Sequence, residues 1–240
     1  SAEVTAFDMD DAAKISSYRE GFDATKRELG DPASTAAWKL VPESKMAELL
    51  QIAYWQCRRV LEREAPDIIA QQLPHAARND VNPLDIPHLR VNIMWVTTLG
   101  TLRIAYRFGM YGDTDDDLVL PGNAGGAGKA LEDNVTTATD INEAKYSYTR
   151  FRMTKYEQAL VRPTMQSLIS VPLTFKDHSG QQVAPLRAVL NFDSDDNLVE
   201  AFEREPVKKQ LAGIGFSVLK GWGELVDDHR KEGTDDAGGE

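Results

Sequence analysis

Side chains able to hold charge or stack on a flat ligand concentrate in one stretch of this sequence, residues 140–163. There Lys145, Arg150, Arg152, Lys155 and Arg162 are interleaved with Tyr146, Tyr148, Phe151 and Tyr156, in a chain of net charge -11. Arginine forks grip anions and aromatic rings stack on planar groups. The pattern suits an anionic or aromatic small molecule, a nucleotide included. The competing reading is an exposed amphipathic helix whose cations offset local acids, and both stand at this level. A second set lies further on. Asn191 and Asp193 share one face of a strand by the two-residue period, as do Leu168 and Ser170. For Asp193-Ser194-Asp195 the alternative is a turn closed by an Asx-type bond.

The other reactive types are scattered. His75, His88, His178 and His229 fall in connectors, a turn and the tail, with no pair at helical metal-ligand spacing. Cys57, the one cysteine, sits within the stripe Met46, Leu49, Leu50, Ala53, Val60 and Leu61 and reads as a small buried hydrophobe. The acidic run Asp113–Asp117 lacks the glycine and terminal glutamate of a calcium loop and reads as a solvated hairpin tip. The cluster from Gly122 to Gly128 ends in Lys129-Ala130, so it lacks the Ser or Thr of a phosphate loop. It reads as a tight helix start where small residues let the helix approach a sheet, with ligand contact by its backbone amides as the alternative. No nucleophile–base set emerges. The expectation is therefore no enzyme, no metal and no cofactor.

The elements that must position these residues change character near residue 89. Before it the chain reads as helical: a first helix over 10–29 broken at Gly30-Asp31-Pro32, then a stronger one from Glu43, broken or kinked at Pro66. From 89 the period becomes two. Leu89, Val91, Ile93 and Trp95 form one apolar face, and Leu102, Ile104 and Tyr106 another, joined by a turn at Gly100. Arg90, Asn92, Arg103 and Arg107 also lie on these strands, on no assigned side. Residues 168–173 and 186–192 make a second pair, and 200–226 returns to helix, interrupted by Gly213, Gly215, Gly221 and Gly223. Strands joined by short turns imply a mostly antiparallel sheet of about five to six strands flanked by helices, an α+β fold with an N-terminal helical extension.

Taken in order, the strands at 89–97 and 102–107, the Leu118-Val119-Leu120-Pro121 and glycine cluster, and the phrases Ser167–Leu173 and Leu190–Asp195 resemble a GAF domain, an α/β small-molecule sensing module. The resemblance implies that the face bearing Leu168, Ser170, Asn191 and Asp193 floors a pocket, and that residues 140–163 form its lid. It implies ligand contacts from Tyr146, Tyr148, Arg150, Arg152, Tyr156, Leu168, Ser170, Asn191 and Asp193. It further implies a homodimer paired through the Met46–Leu61 and Leu211–Val226 helices. Some GAF domains are free methionine sulfoxide reductases that need pocket cysteines and a pocket glutamate. Here 58–240 has no cysteine and the glutamate's place is taken by Leu168, so the resemblance is to the non-reductase type. The cyclic-nucleotide pattern is met only by Asn191-Phe192, without its lysine or Asp-Glu pair.

The expected organisation is an extension over 1–42, a GAF-like sensor over 43–226 and a disordered acidic tail over 227–240. The expected function is a non-catalytic sensor that binds an anionic or aromatic metabolite or a nucleotide under the lid and signals through its terminal helices. The alternative is a dimerisation scaffold whose pocket is filled by Met110, Tyr148 and Phe151. The acidic balance argues against nucleic acid. A single thiol fits a cytoplasmic setting, and membrane contact would need a segment upstream of the sequence.

Overall fold

A computed structural model describes residues 41–72, 89–97, 99–110, 115, 118–146, 148–176 and 182–235. Helix α1 (Glu43–Glu64) turns Met46, Leu50, Ala53, Cys57, Val60 and Leu61 inward at helical spacing. It stops at Ala65, and Pro66 opens α2 (Pro66–Gln72), since a ring without an N–H suits a first turn and not a helix interior. The sheet follows: β1 (Arg90–Val96), β2 (Thr101–Phe108), β3 (Val119–Pro121), β4 (Thr137–Asp140), β5 (Ser167–Lys176) and β6 (Gln182–Ser194). Its order is β3-β2-β1-β6-β5-β4, with every neighbouring pair antiparallel. This is the α+β architecture expected.

Each face of the sheet carries its own layer. Val91, Ile93 and Trp95 of β1, with Ile169, Val171 and Leu173 of β5, are buried on one side. That side is covered by α1, over β1 and β2, and by the long C-terminal helix α8 (Glu205–Asp235), over β5. Helix α8 buries Val207, Leu211, Ile214, Val218 and Trp222, and the rings of Trp95 and Trp222 lie 5.3 Å apart. The two helices run antiparallel, with Gly221 against Leu49 at one end and Gln210 Nε2 donating to Glu64 Oε1 (2.9 Å) at the other. The opposite face carries α3 (Gly125–Asp133), α4 (Ile141–Tyr146), α5 (Tyr148–Phe151) and α6 (Lys155–Leu160), and α7 (Val199–Glu203) links β6 to α8.

Three sequence expectations change. Strand β2 does not keep Leu102, Ile104 and Tyr106 on one side: Ile104 pairs with Met94 but Tyr106 with Ile93, so Ala105 is left over as a β-bulge. Leu102 and Ile104 therefore face the short helices, while the Tyr106 hydroxyl reaches Val41 O (3.3 Å) and Phe108 packs on Tyr54 beneath α1. A bulge of one apolar residue among apolar neighbours leaves no mark on the pattern. Asp193 and Ser194 end β6 as paired residues instead of opening a turn; the tight bond there runs from Asp196 N to Ser194 Oγ (3.1 Å). The last helix continues through Asp235, beyond the Val226 boundary: Arg230, Lys231 and Glu232 are good helix formers, yet in composition they look like a solvated tail. The helix over 10–29, three of the four histidines (His75, His88 and His178) and most of the 113–117 run lie outside the described residues. Among the described residues no helix is long and apolar enough to cross a membrane.

The glycines of α8 divide by what surrounds them. A Cβ on Gly215 would come within 2.7 Å of Val171 Cγ1, whereas one on Gly213 would meet nothing within 4 Å. Gly213→Ala should raise stability by about 0.5–1 kcal/mol, the helix-interior cost of glycine. Gly215→Ala should lower it, since β-branched Val171 has no rotamer to retreat to. Urea melts of the two variants check the contrast.

Candidate functional site

The register of three strands builds the site. Asn92 of β1 lies opposite Asn191 of β6, which lies opposite Ser170 of β5; one step along, Arg90 lies opposite Asp193 and Asp193 opposite Leu168. The period of two sends all six side chains to the face away from α1 and α8. Burial then obliges the polar ones to satisfy one another. Ser170 Oγ donates to Asn191 Oδ1 (2.8 Å), Asn191 Nδ2 to Asn92 Oδ1 (2.9 Å), and Asn92 Nδ2 to Asp193 Oδ2 (3.3 Å). Arg90 Nε donates to Asp193 Oδ1 (2.5 Å), and Arg90 Nη2 to Asp115 Oδ2 (3.1 Å), which the segment between β2 and β3 brings in. Arg90 is 1% exposed and Asp193 2%.

A cavity of about 60 Å³ lies over this ladder. Asn92, Asn191, Asp193 and Asp115 form its polar side, and Met94, Ile104, Leu120, Leu168 and Met165 extend the floor and rim. Helix α3 supplies one wall from Gly125, Gly126 and Ala127. Glycine is needed there: Gly125 has φ +68°, and a Cβ on Gly126 would stand 2.5 Å from Thr139 Oγ1. The tight helix start read from the sequence is thus present. Residues 140–163 cover the cavity with Ile141, Ala144, Met153 and Val161.

Of the basic side chains in this stretch, Arg150, Arg152, Lys155 and Arg162 are not among the lining residues. Arg150 is exposed, ion-paired with Glu143 and 5.1 Å over the ring of Phe151; Arg152 is exposed and paired with Glu132 (3.1 Å). Arg162 pairs with Asp195 at the end of β6. Tyr156 is half-buried and outside the lining, and the Tyr146 and Tyr148 side chains lie outside the described residues. Short helices can bury only one side, and desolvating an arginine costs far more than desolvating Ile141 or Met153, so the cations turn out. Phe151 is buried in the surrounding core and Met110 is buried elsewhere; neither lines the cavity. Of the sequence candidates, Leu168, Asn191 and Asp193 line it and Ser170 braces Asn191. Arg90, Asn92 and Asp115 were missed; the signal for the first two was a charged and an amide residue alternating with Val91 and Ile93 in a strand otherwise apolar.

The electrostatics follow from two carboxylates sharing one guanidinium. Burial pushes the Asp193 carboxyl up to about 6, with Arg90 pulling down and Asp115 adding to the rise. Cys57 lies in the other layer, fully buried, with its thiol pushed far above the range in which a thiolate forms at neutral pH. Among the described residues no group of His, Cys, Asp and Glu is placed to hold a metal.

The lid is pinned by a capping box: Thr154 N donates to Glu157 Oε2 (2.6 Å) and Glu157 N to Thr154 Oγ1 (3.3 Å). Burial pushes the Glu157 carboxyl up to about 7. A carboxyl raised on folding contributes stability that is fully present below its unfolded value, near 4.5, and is lost as pH rises through 7. Glu157→Gln keeps the acceptor and removes the titration. Its stability relative to the unmodified chain should be unchanged or lower at pH 5 and progressively higher from pH 5.5 to 8. Thermal melts across that range that stay parallel would refute this.

No protein-family model matches the chain, and no curated protein matches it in sequence. Among solved structures it is similar to fRMsr of Staphylococcus aureus in complex with substrate, at 18% identity over 72% of this chain and 94% of that one, with a TM-score of 0.40. It is similar to the free methionine-R-sulfoxide reductase of Neisseria meningitidis, at 22% identity over 76% and 92%, TM-score 0.42. It is also similar to the GAF domain of a phosphoenolpyruvate-protein phosphotransferase of Coxiella burnetii, at 10% identity over 80% and 99%, TM-score 0.41. Two of these structures are enzymes, which overturns the expectation that the chain is no enzyme: the fold also carries catalysis. The likeness is one of fold, and the fold of this chain is GAF-like.

Proposed function

We propose that this chain is a small-molecule sensor whose ligand sits in the cavity over the Asn92–Asn191–Asp193 ladder. The observation that carries the reading is the ladder itself. Five polar side chains of one sheet face, with Asp115 brought to them, have been taken out of water, a choice that well-packed apolar residues of similar volume match or better for stability. Such clusters, with a carboxyl displaced from its ordinary range, concentrate at binding sites. The cavity as it stands has room for about four to six water-sized groups. That is far short of a nucleotide, and among the described lining residues there is no cation for an anion, so the ligand is smaller and differently charged than the lid composition suggested.

A route outward is built into the strands. Each ladder residue is one peptide bond from a residue of the helix layer: Asn92 from Val91 and Ile93, Asn191 from Leu190 and Phe192. A shift of β1 against β6 on ligand binding would move α1 and α8. A reducing, cytoplasmic setting fits the single thiol. The test is amide chemical shifts of the whole chain against a library of small metabolites, beside Leu168→Trp, which fills the cavity. Saturable shifts in β1 and β6 that Leu168→Trp abolishes are expected. A library that moves no lining residue, with Leu168→Trp raising the melting temperature, would mean the cavity is only a packing defect.

We further propose that two copies pair through α1 and α8. Ile52 and Trp55 of α1 and Phe216 of α8 are exposed on the helix layer, Phe216 at 69%. The antiparallel pairing of the two helices brings Trp55 level with Phe216, which makes one apolar strip. Phe216→Glu with Trp55→Glu should convert a dimer to a monomer in sedimentation while leaving the melting of the monomer within about 0.5 kcal/mol, as for surface changes generally. A monomeric unmodified chain at micromolar concentration ends the dimer reading.

A further inference from the structure

Among the described residues, the charges that line the cavity are of one sign. Asp193 and Asp115 are lining residues, while no described lysine, arginine or histidine is. Arg90 lies behind them: its Nε is turned to Asp193, its Nη2 to Asp115 and to Met165 Sδ at 3.5 Å. One buried guanidinium against two buried carboxylates leaves a net negative charge facing a partly enclosed space. The acceptors in that space are also incompletely used. Asp193 Oδ2 accepts from Asn92 Nδ2, Asn92 Oδ1 from Asn191 Nδ2, and Asn191 Oδ1 from Ser170 Oγ, one donor each where an sp² oxygen has two lone pairs. The rest of the wall is apolar and adaptable: Met94, Met153 and Met165 contribute thioethers with several rotatable bonds, beside Leu168 and Ile141.

We propose that the cavity takes a small organic cation, a primary ammonium on a short apolar tail, with its N–H groups on Asp193 Oδ2 and the Asn92 and Asn191 side-chain oxygens and its tail among the methionines. This rests on the binding reading above and names the ligand class for the same site. Three ammonium hydrogens match three half-used acceptors, and the positive charge completes the balance that Arg90 leaves one short. An anion would face two carboxylates, with Arg90 behind them and already turned to both. A neutral amide would satisfy the hydrogen bonds but not the charge. The room available, about four to six non-hydrogen groups, is that of a propyl- or butylammonium ion.

The assignment carries a pH signature. The charged groups acting on Asp193 are Arg90 on its own sheet, Asp115 from the β2–β3 segment and Arg162 beyond α6. With the Asp193 carboxyl near 6 in the empty cavity, protonation at pH 5 should weaken cation binding by about tenfold relative to pH 7.5.

The experiment titrates the full chain with n-propylammonium chloride, sodium propionate and propionamide at matched ionic strength, following backbone amides and the Asn92 and Asn191 side-chain amides. The expected result is saturable shifts with propylammonium alone, weakening about tenfold from pH 7.5 to pH 5, and lost in Asp193→Asn. If Asp193→Asn does not fold, Asp115→Asn and the pH profile of the unmodified chain carry the same test. Shifts with propionate or propionamide and none with propylammonium would overturn the cation assignment while leaving a small-molecule site in place. Silence from all three overturns it as well, and joined to a negative metabolite library it removes the binding reading with it.

Discussion

A guanidinium held inside a β-sheet has to be neutralised where it stands, and much of this structure is arranged around that demand. Arg90, at the start of β1, is 1% exposed, so its partners must come to it. Asp193 arrives by strand register and Asp115 by the crossing from β2 to β3. Once Asp193 is committed at one oxygen, its other oxygen needs a donor, which Asn92 supplies, and the two asparagines and Ser170 pass the requirement across β6 to β5. A slip of one residue of β1 against β6 would undo the links between them and turn Arg90 and Asn92 toward the helix layer. The ladder therefore pins register as firmly as the apolar face does.

That apolar face explains how the chain can keep so polar a floor. Val91, Ile93, Trp95, Ile169, Val171 and the inward stripe of α1 and α8 make one apolar layer. A second apolar cluster, with Met94, Leu102, Leu120, Leu131, Phe151 and Val189, surrounds the polar floor on the cavity side. Its covering elements are short helices fastened by local bonds: the Thr154–Glu157 box and the Asp140 carboxylate accepting from Asn142 N and Glu143 N. Division of labour between a stable layer and a lightly fastened one is what a binding module on a rigid scaffold requires.

The fold was legible in the sequence because its signals are periodic. Alternation at 89–97 and 168–173 and the 3.6 spacing of Met46–Leu61 each report a face, and faces fix layers. Asn191 and Asp193 were legible on the same ground, as polar residues on one side of a strand otherwise buried. Arg90 and Asn92 carry the same alternation, but nothing in one strand says which side is the pocket; that depends on where α1 and α8 dock. Asp115 was hidden within a run of acids, four of which look alike in sequence, and only the fold singles one out. The lid misled for a physical reason. Composition reports which residues are near a site, while the cost of burying charge decides which of them turn toward it, and Arg150 and Arg152 turned away.

The bulge at Ala105 gives β2 a property its neighbours lack. Residues of one parity serve the cavity before it, through Leu102 and Ile104, and residues of that same parity serve the helix layer after it, through Tyr106 and Phe108. The strand thus behaves like a sentence with a shifted reading frame. Exchanging one side chain for another disturbs a single word, whereas adding or removing one residue on either side of Ala105 would turn Tyr106 outward from α1 and scramble both layers together. Relatives of this chain should differ freely in letters along β2, yet keep its length.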